Sequence, residues 1–228
     1  MNPILTTYTD THVDVTTEVN FIWSIANKLR GPYQSDKYKD VIIPMTIIRR
    51  FECALEATKE AVVAKFKQNP ACPPKVMCYI SNYDFYNTSE YTLAELCNDA
   101  DHLADNFKNY LEGFSANVQD IIKSLAFYDE IEKMDENNRL YAVVKAFSEL
   151  DMDPKTIDSM KMGYIFEELI RKFSENAEAG DHYTGKDIVT CMVAIALSEG
   201  CDDLSEEGKV VTICDQAAGT GGMLATAH

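Results

Sequence analysis

Basic residues are scarce in this chain: 21 lysines and arginines face 37 aspartates and glutamates, a formal charge of −16. A protein so acidic is repelled by a phosphate backbone, which argues against a stand-alone nucleic-acid binder and suits a subunit whose partners supply the basic surface. Long apolar runs are missing too. No stretch approaches the roughly 20 residues that a bilayer requires. Nothing from Met1 to Val15 joins a basic start, an apolar run and a small-residue cleavage site, so a cytoplasmic chain without membrane contact is expected. Cysteine pairs are lacking. Cys53, Cys72, Cys78, Cys97, Cys191, Cys201 and Cys214 are odd in number, form no C-x-x-C and sit mostly in apolar segments. That is the pattern of reduced core thiols, not of a disulfide framework or zinc site. His12, His102, His182 and His228 are too scattered for metal-ligand spacing, and no metal is expected.

What is present is a chain of 228 residues, 46% hydrophobic, enough to bury a core in one large or two modest domains. Val19, Ile22, Trp23, Ala26 and Leu29 recur at helical spacing behind the capping candidates Thr16 and Thr17, and Gly31-Pro32 ends the segment. The same spacing continues from Tyr38 to Phe66, with Pro44 expected in a first turn or at a kink. Asn69 to Ser89 reads as a loop holding at most a small hairpin, with a strand-like run over Val76–Ile80. Thr92 and Glu95 make a capping box. Further helices are predicted near Ala104–Leu111, Ala116–Ser124 and Arg139–Leu150. Asp153-Pro154 is a start signal for a helix burying Ile157, Met160, Ile165, Phe166, Leu169, Ile170 and Phe173.

The character changes at Thr184, which with Asp187 resembles another capping box ahead of an apolar face of Ile188, Val189, Met192, Val193, Ile195 and Ala196. Val210–Cys214 is short, apolar and β-branched, suited to a buried parallel strand, and a helix is predicted from Gly221 or Gly222. Between them lies Asp215-Gln216-Ala217-Ala218-Gly219-Thr220-Gly221-Gly222. Small residues there let a backbone approach a ligand, glycine accepts the positive φ of a tight turn, and an acid at the strand's end suits a cationic ammonium but repels a phosphate. Neither G-x-G-x-x-G nor the phosphate-binding G-x-x-x-x-G-K-[ST] is completed. From these residues alone, a structural glycine turn and a cofactor loop are equally good readings. The fold class is mainly α: an N-terminal helical bundle, residues 1–150, then a linking helix and the first elements of an α/β domain (helix, strand, glycine loop, helix), residues 151–228.

Gly180-Asp181-His182-Tyr183-Thr184-Gly185-Lys186, followed by the glycine loop, resembles two motifs of the modification (M) subunits of type I restriction-modification systems, which are DNA N6-adenine methyltransferases. The likeness extends to Leu29-Arg30-Gly31, Ile48-Arg49-Arg50-Phe51-Glu52, Gly113-Phe114-Ser115-Ala116-Asn117 and Met162-Gly163-Tyr164-Ile165-Phe166-Glu167-Glu168, nearly the whole chain. Gly185 and Gln216 stand where the family has prolines. The resemblance implies a Rossmann-like methyltransferase domain, here cut short, with S-adenosylmethionine as cofactor. Asp181, His182, Tyr183, Thr184, Gly185 and Lys186 would form one side of its site; Tyr183 and Thr184 would lie by its methionine end, and Thr184 would bond its carboxylate. Asp215 and the backbone of Ala217, Ala218, Gly219, Thr220, Gly221 and Gly222 would hold the amino-acid portion. It also implies a specificity (S) subunit, a second M subunit and a restriction (R) subunit as partners, with double-stranded DNA as substrate. The family's catalytic Asn/Asp-Pro-Pro-Phe/Tyr does not occur, so the chain alone is expected to be inactive.

Rival readings are an assembly module whose cofactor loop is incidental, and, with less support, a nicotinamide-dependent enzyme, which would need a third fingerprint glycine. Arg49-Arg50 reads as a solvated helix face ahead of a phosphate contact. Tyr79, Tyr83, Phe85 and Tyr86 read as a loop packed on the bundle ahead of a stacking platform. Phe166-Glu167-Glu168 reads as an aromatic in the core beside acids near water, and Asp99, Asp101 and Asp105 as a solvated acidic segment.

Overall fold

The computed structural model describes residues 14–175, 184–197, 212–218 and 221–227. Helices account for 67% of the described residues, among which no strand occurs. The chain divides into two compact units, Asp14–Phe173 and Ser174–His228 together with Met1–Val13.

In the first unit, α1 (Thr16–Ala26) continues as a 3-10 turn to Leu29. Its first free N–H is met by Asp14, whose Oδ1 accepts from Thr16 at 2.9 Å, so the expected caps Thr16 and Thr17 lie inside the helix. The segment from Tyr38 to Phe66 is two helices, α2 (Lys39–Leu55) and α3 (Lys59–Gln68). Pro44 sits in the second turn of α2, and Thr46 Oγ1 donates to the Ile42 carbonyl at 2.7 Å nearby.

The stretch expected as a loop or strand holds α4 (Pro74–Ser81). Pro74 occupies the first helical position, where its missing N–H costs nothing, and Asn82 ends the helix in the left-handed region. Packing of Met77 into the core overrides the β preference of its neighbours. α5 (Leu93–Leu96) carries the expected capping box, and α6 (Leu103–Glu112), α7 (Ala116–Ser124) and α9 (Leu140–Ser148) fall where the periodicity places them. A further helix, α8 (Phe127–Glu136), escapes the pattern. Phe127, Ile131 and Met134 are its buried stripe, but charged neighbours dilute it, and Ala126 enters it at φ +50°.

Asp153-Pro154 opens a single turn closed by Thr156 and Ile157 N–H on the Asp153 carbonyl. The long helix α10 (Ser159–Glu175) starts later, capped by Asp158, whose Oδ1 accepts from Lys161 N at 2.7 Å. Met162, Ile165, Leu169 and Phe173 are its buried positions. Met160 faces water, and Phe166 and Ile170 are half-buried.

The core lies where α2, α8 and α9 meet, with α1, α5 and α6 around them. Ile22, Ile42, Met45, Ile48, Phe107, Phe127, Val143 and Phe147 are sealed from solvent, each such side chain stabilising by about 1.5–3 kcal/mol. Among the described thiols, only Cys53 is in this core, and Cys201 lies outside the described residues. Cys72, Cys78 and Cys97 are half-buried, while Cys191 and Cys214 are exposed, so the core-thiol reading holds for one residue.

Gly113 marks the tightest backbone contact. The chain at Asn87 and Phe114 forms an antiparallel bridge, with Thr88 N–H on the Gly113 carbonyl at 2.8 Å and Ser115 N–H on the Tyr86 carbonyl at 3.0 Å. A Cβ on Gly113 would lie 2.6 Å from Asn87 Oδ1 and 2.7 Å from Ser89 N.

In the second unit, α11 (Lys186–Ala196) packs on α12 (Gly222–Ala227). Val189 is buried, whereas Ile188, Met192 and Ile195 of the expected apolar face are exposed. The strand expected over Val210–Cys214 differs: Val210 and Val211 lie outside the described residues, and Thr212–Cys214 is irregular and exposed. A strand exists only as part of a ladder, and the described residues offer it no neighbour.

Gly113→Ala is expected to cost about 1–3 kcal/mol in urea unfolding, because backbone and not a flexible side-chain end must yield. His102 Nδ1 lies 3.1 Å from Asp99, which raises the imidazole's pKa above its ordinary 6.5 and lowers that of the carboxyl. The His102 contribution is present below the ordinary pKa and lost as pH rises through the folded one; that of Asp99 is present above its ordinary pKa and lost as pH falls through the folded one. NMR titration should place His102 above 6.5, and Asp99→Asn should bring it back.

Candidate functional site

The glycine segment is built by two consecutive turns. Asp215, half-buried, accepts the Ala217 N–H on Oδ1 at 2.9 Å, a side-chain turn that fixes the start of the loop. The Ala218 carbonyl then accepts the Gly221 N–H at 2.7 Å, and Gly221 takes φ +82°, which a side chain would strain. Ala225 N–H returns to the Gly221 carbonyl at 3.0 Å and starts α12. Gly222 is not demanded by packing: a Cβ there would meet Val189 Cγ2 at 3.8 Å, an ordinary contact.

The other half of the sequence-derived site is less complete. Asp181, His182 and Tyr183, like Gly219 and Thr220, lie outside the described residues. Thr184 is exposed. Gly185 occupies the N-cap of α11 with no side-chain cap bond, one residue past the expected cap Thr184, and the Asp187 side chain of the expected box lies outside the described residues; the Gly185 carbonyl accepts from Ile188 and Val189 N–H, both at 3.0 Å. Lys186 is the first residue of the helix. The structure thus brings the Gly185-led helix against the Gly222-led helix through Val189.

A second polar centre lies in the helical unit. Glu52 is buried at a position of α2 in register with Ile48 and Leu55. Its Oε2 accepts the Leu93 N–H at 2.7 Å and the Tyr110 hydroxyl at 3.0 Å, and its Oε1 pairs with Arg49. Burial, reinforced by Glu52, pushes the Tyr110 phenol far up, so it stays a donor. Lys59 stands 5.5 Å over the Tyr110 ring and donates to the Ser89 carbonyl at 2.9 Å; burial lowers its pKa. Arg49, Glu52 and Lys59 line a cavity of about 630 Å³ between α2, α3 and residues 90–95.

Arg49 and Arg50 are neither phosphate contacts nor a solvated face. Arg49 Nε donates to the Leu150 carbonyl at 2.7 Å, and Arg50 Nη1 to those of Met152 and Ile157 at 2.8 and 2.7 Å. They hold the connector that leads into α10. The one available signal was a charged residue, Glu52, placed in an apolar register.

Phe85 does pack on the bundle, 4.6 Å from the Phe51 ring, while Tyr79 is 84% exposed. Asp99, Asp101 and Asp105 are exposed, as expected. Glu168 pairs with Arg171, and Phe166 beside it is only half-buried. Among the described residues, no group of histidines, cysteines and acids could hold a metal, and no helix is long and apolar enough to cross a membrane.

Residues 19–147, more than half of the chain, match the family described as HsdM N-terminal domain, and residues 157–228 match the one described as N-6 DNA Methylase. The chain belongs to the M subunits of type I restriction-modification systems, as their N-terminal portion. No curated protein matches it.

Glu52→Ala removes the acceptor for two buried donors and the counter-charge of Arg49. It is expected to destabilise the chain by about 3–5 kcal/mol in urea unfolding, and Glu52→Gln by less.

Proposed function

We propose that this chain serves subunit assembly and contributes part of the cofactor site of an enzyme that methylates adenine N6 in DNA, with S-adenosylmethionine as donor. Residues 1–150 are the assembly domain, and residues 151–228 a linking helix and the start of the methyltransferase domain. Thr212–Cys214 then corresponds to the first strand of the family's parallel sheet. The observation that carries the reading is the turn pair at Asp215–Gly221, with its positive-φ glycine, in a segment matched to the N-6 DNA methylase family.

The residues fit the cofactor. Asp215 has one oxygen committed to Ala217 and the other without a partner among the described residues, suited to an ammonium and hostile to a phosphate. When bound, the cofactor supplies an electrophilic methyl group on a sulfonium. The chain's part is to bind and orient it: Asp215 and the backbone of Ala217–Gly222 at the amino-acid portion, and Asp181–Lys186, Thr184 foremost, at the carboxylate side. The partners in this reading are an S subunit, a second M subunit and an R subunit on double-stranded DNA, in the cytoplasm. A second reading, assembly without cofactor binding, draws on the match of residues 19–147 to the HsdM N-terminal domain family.

Purified alone, the chain should transfer no labelled methyl group to unmethylated duplex; measurable transfer overturns the inactive-alone reading. Calorimetry with S-adenosylmethionine should give weak binding that Asp215→Ala removes. Binding untouched by that substitution puts the ligand elsewhere, and no binding at all, with capture of an S subunit intact, leaves the assembly reading.

A further inference from the structure

A nucleophile that the methyltransferase reading leaves unused stands at the wall of the helical unit's cavity. Lys59, the first residue of α3, is half-buried and lines the space of about 630 Å³ between α2, α3 and residues 90–95. Its Nζ donates to the Ser89 carbonyl at 2.9 Å and lies 5.5 Å over the Tyr110 ring. Lys67, on the same wall, is paired with Glu90 at 2.7 Å, whereas Lys59 has no carboxylate within ion-pair reach among the described residues.

An amine so placed gives up its proton more readily than one in water. Burial strips the ammonium of hydration, and Glu52 and Glu95 offset only part of that loss from a distance. The positive end of α3 opposes a cation at the same place. The free amine is the form that attacks a carbonyl carbon.

Two reactions of such an amine end differently. Acylation leaves a neutral amide, which forfeits the attraction of Glu52 and Glu95 for a positive charge. Condensation with an aldehyde keeps it. Nζ adds to the carbonyl carbon, the carbonyl oxygen departs as water with two of the three ammonium hydrogens, and a protonated imine remains. One N–H is then still available to the Ser89 carbonyl, and no oxidant or reductant is consumed. The cavity has the size of a small-molecule site. Five glutamates line it against Arg49, Lys59 and Lys67, a balance that repels a phosphorylated or carboxylated aldehyde and offers acceptors to hydroxyl groups.

We propose that Lys59 is a covalent acceptor site for a small uncharged hydroxyaldehyde, held in the cavity between α2, α3 and residues 90–95 as an imine on Nζ. Lys59 and its cavity belong to the helical unit alone, so the site stands whatever the glycine loop binds.

The test uses the whole 228-residue chain, folded, at neutral pH. Glyceraldehyde is the probe, cyanoborohydride fixes the imine as a secondary amine, and peptide mass spectrometry reads each lysine. Lys59 is expected to be labelled at least about threefold faster than exposed Lys75, since each unit by which a pKa falls gives about tenfold more free amine. Ala64→Phe, which fills the cavity from an exposed position of α3, should slow Lys59 and leave Lys75 unchanged. Glyceraldehyde 3-phosphate should favour Lys59 less than glyceraldehyde does, and in concentrated urea the preference should vanish. Labelling of Lys59 no faster than of Lys75 in the folded chain overturns the site, as does a preference that survives unfolding. A Lys59 rate untouched by Ala64→Phe removes the ligand from the cavity, and an equal preference with the phosphorylated aldehyde overturns the uncharged class.

Discussion

The helical unit is organised around a carboxylate that it cannot release to water. Glu52 sits at a core position of its helix, and a buried charge is tolerated only where its lone pairs are taken up. Three elements supply the donors: Arg49 from the same helix, the Leu93 amide at the start of α5, and the Tyr110 hydroxyl from α6. Each donor must come from its own direction, so the three elements are fixed relative to one another by hydrogen-bond geometry and not by apolar packing alone. Arg49 extends the arrangement outward, since the guanidinium that balances Glu52 also takes the Leu150 carbonyl. The exit of α9 and the approach to α10 thus depend on the same buried charge.

Much of the fold was legible in the sequence because it follows from periodicity and capping. The Thr92–Glu95 box, the bounds of α7 and the existence of α1, α2, α6, α9 and α11 are local properties. What stayed hidden depends on partners distant in the chain. α4 carries β-branched residues and is helical because Met77 finds a core. α8 reads as polar because only three of its side chains are needed inside. Asp153-Pro154 carries a sound start signal, yet the chain turns once and waits for Asp158 because the carbonyls of Met152 and Ile157 are claimed by Arg50. The strand-like Val210–Cys214 shows the same dependence in reverse, since its composition suits a sheet but pairing belongs to neighbours.

The candidate site divides along the same line. Asp215 and Gly221 act locally: one carboxylate oxygen shapes the first turn, and one positive-φ residue shapes the second, so spacing alone marks them. Gly222, read with them as cofactor backbone, is required neither by a positive φ nor by packing, since a Cβ there would meet Val189 at an ordinary 3.8 Å. A run of glycines therefore need not share one purpose. The internal network of Glu52, Tyr110 and Lys59 left no motif that spacing could reveal, because Tyr110 lies 58 residues from Glu52 and meets it only in the folded unit.

The connector between α9 and α10 is held in an uncommon manner. Arg49 and Arg50 grip it by three backbone carbonyls, and Leu150, Met152 and Ile157 insert side chains into the core beside them. Peptide oxygens are the same whatever residue carries them. The outward position at Lys155 can therefore drift in chemistry without altering the course of the chain, and a related protein could carry a different surface there while presenting the following helix in the same direction.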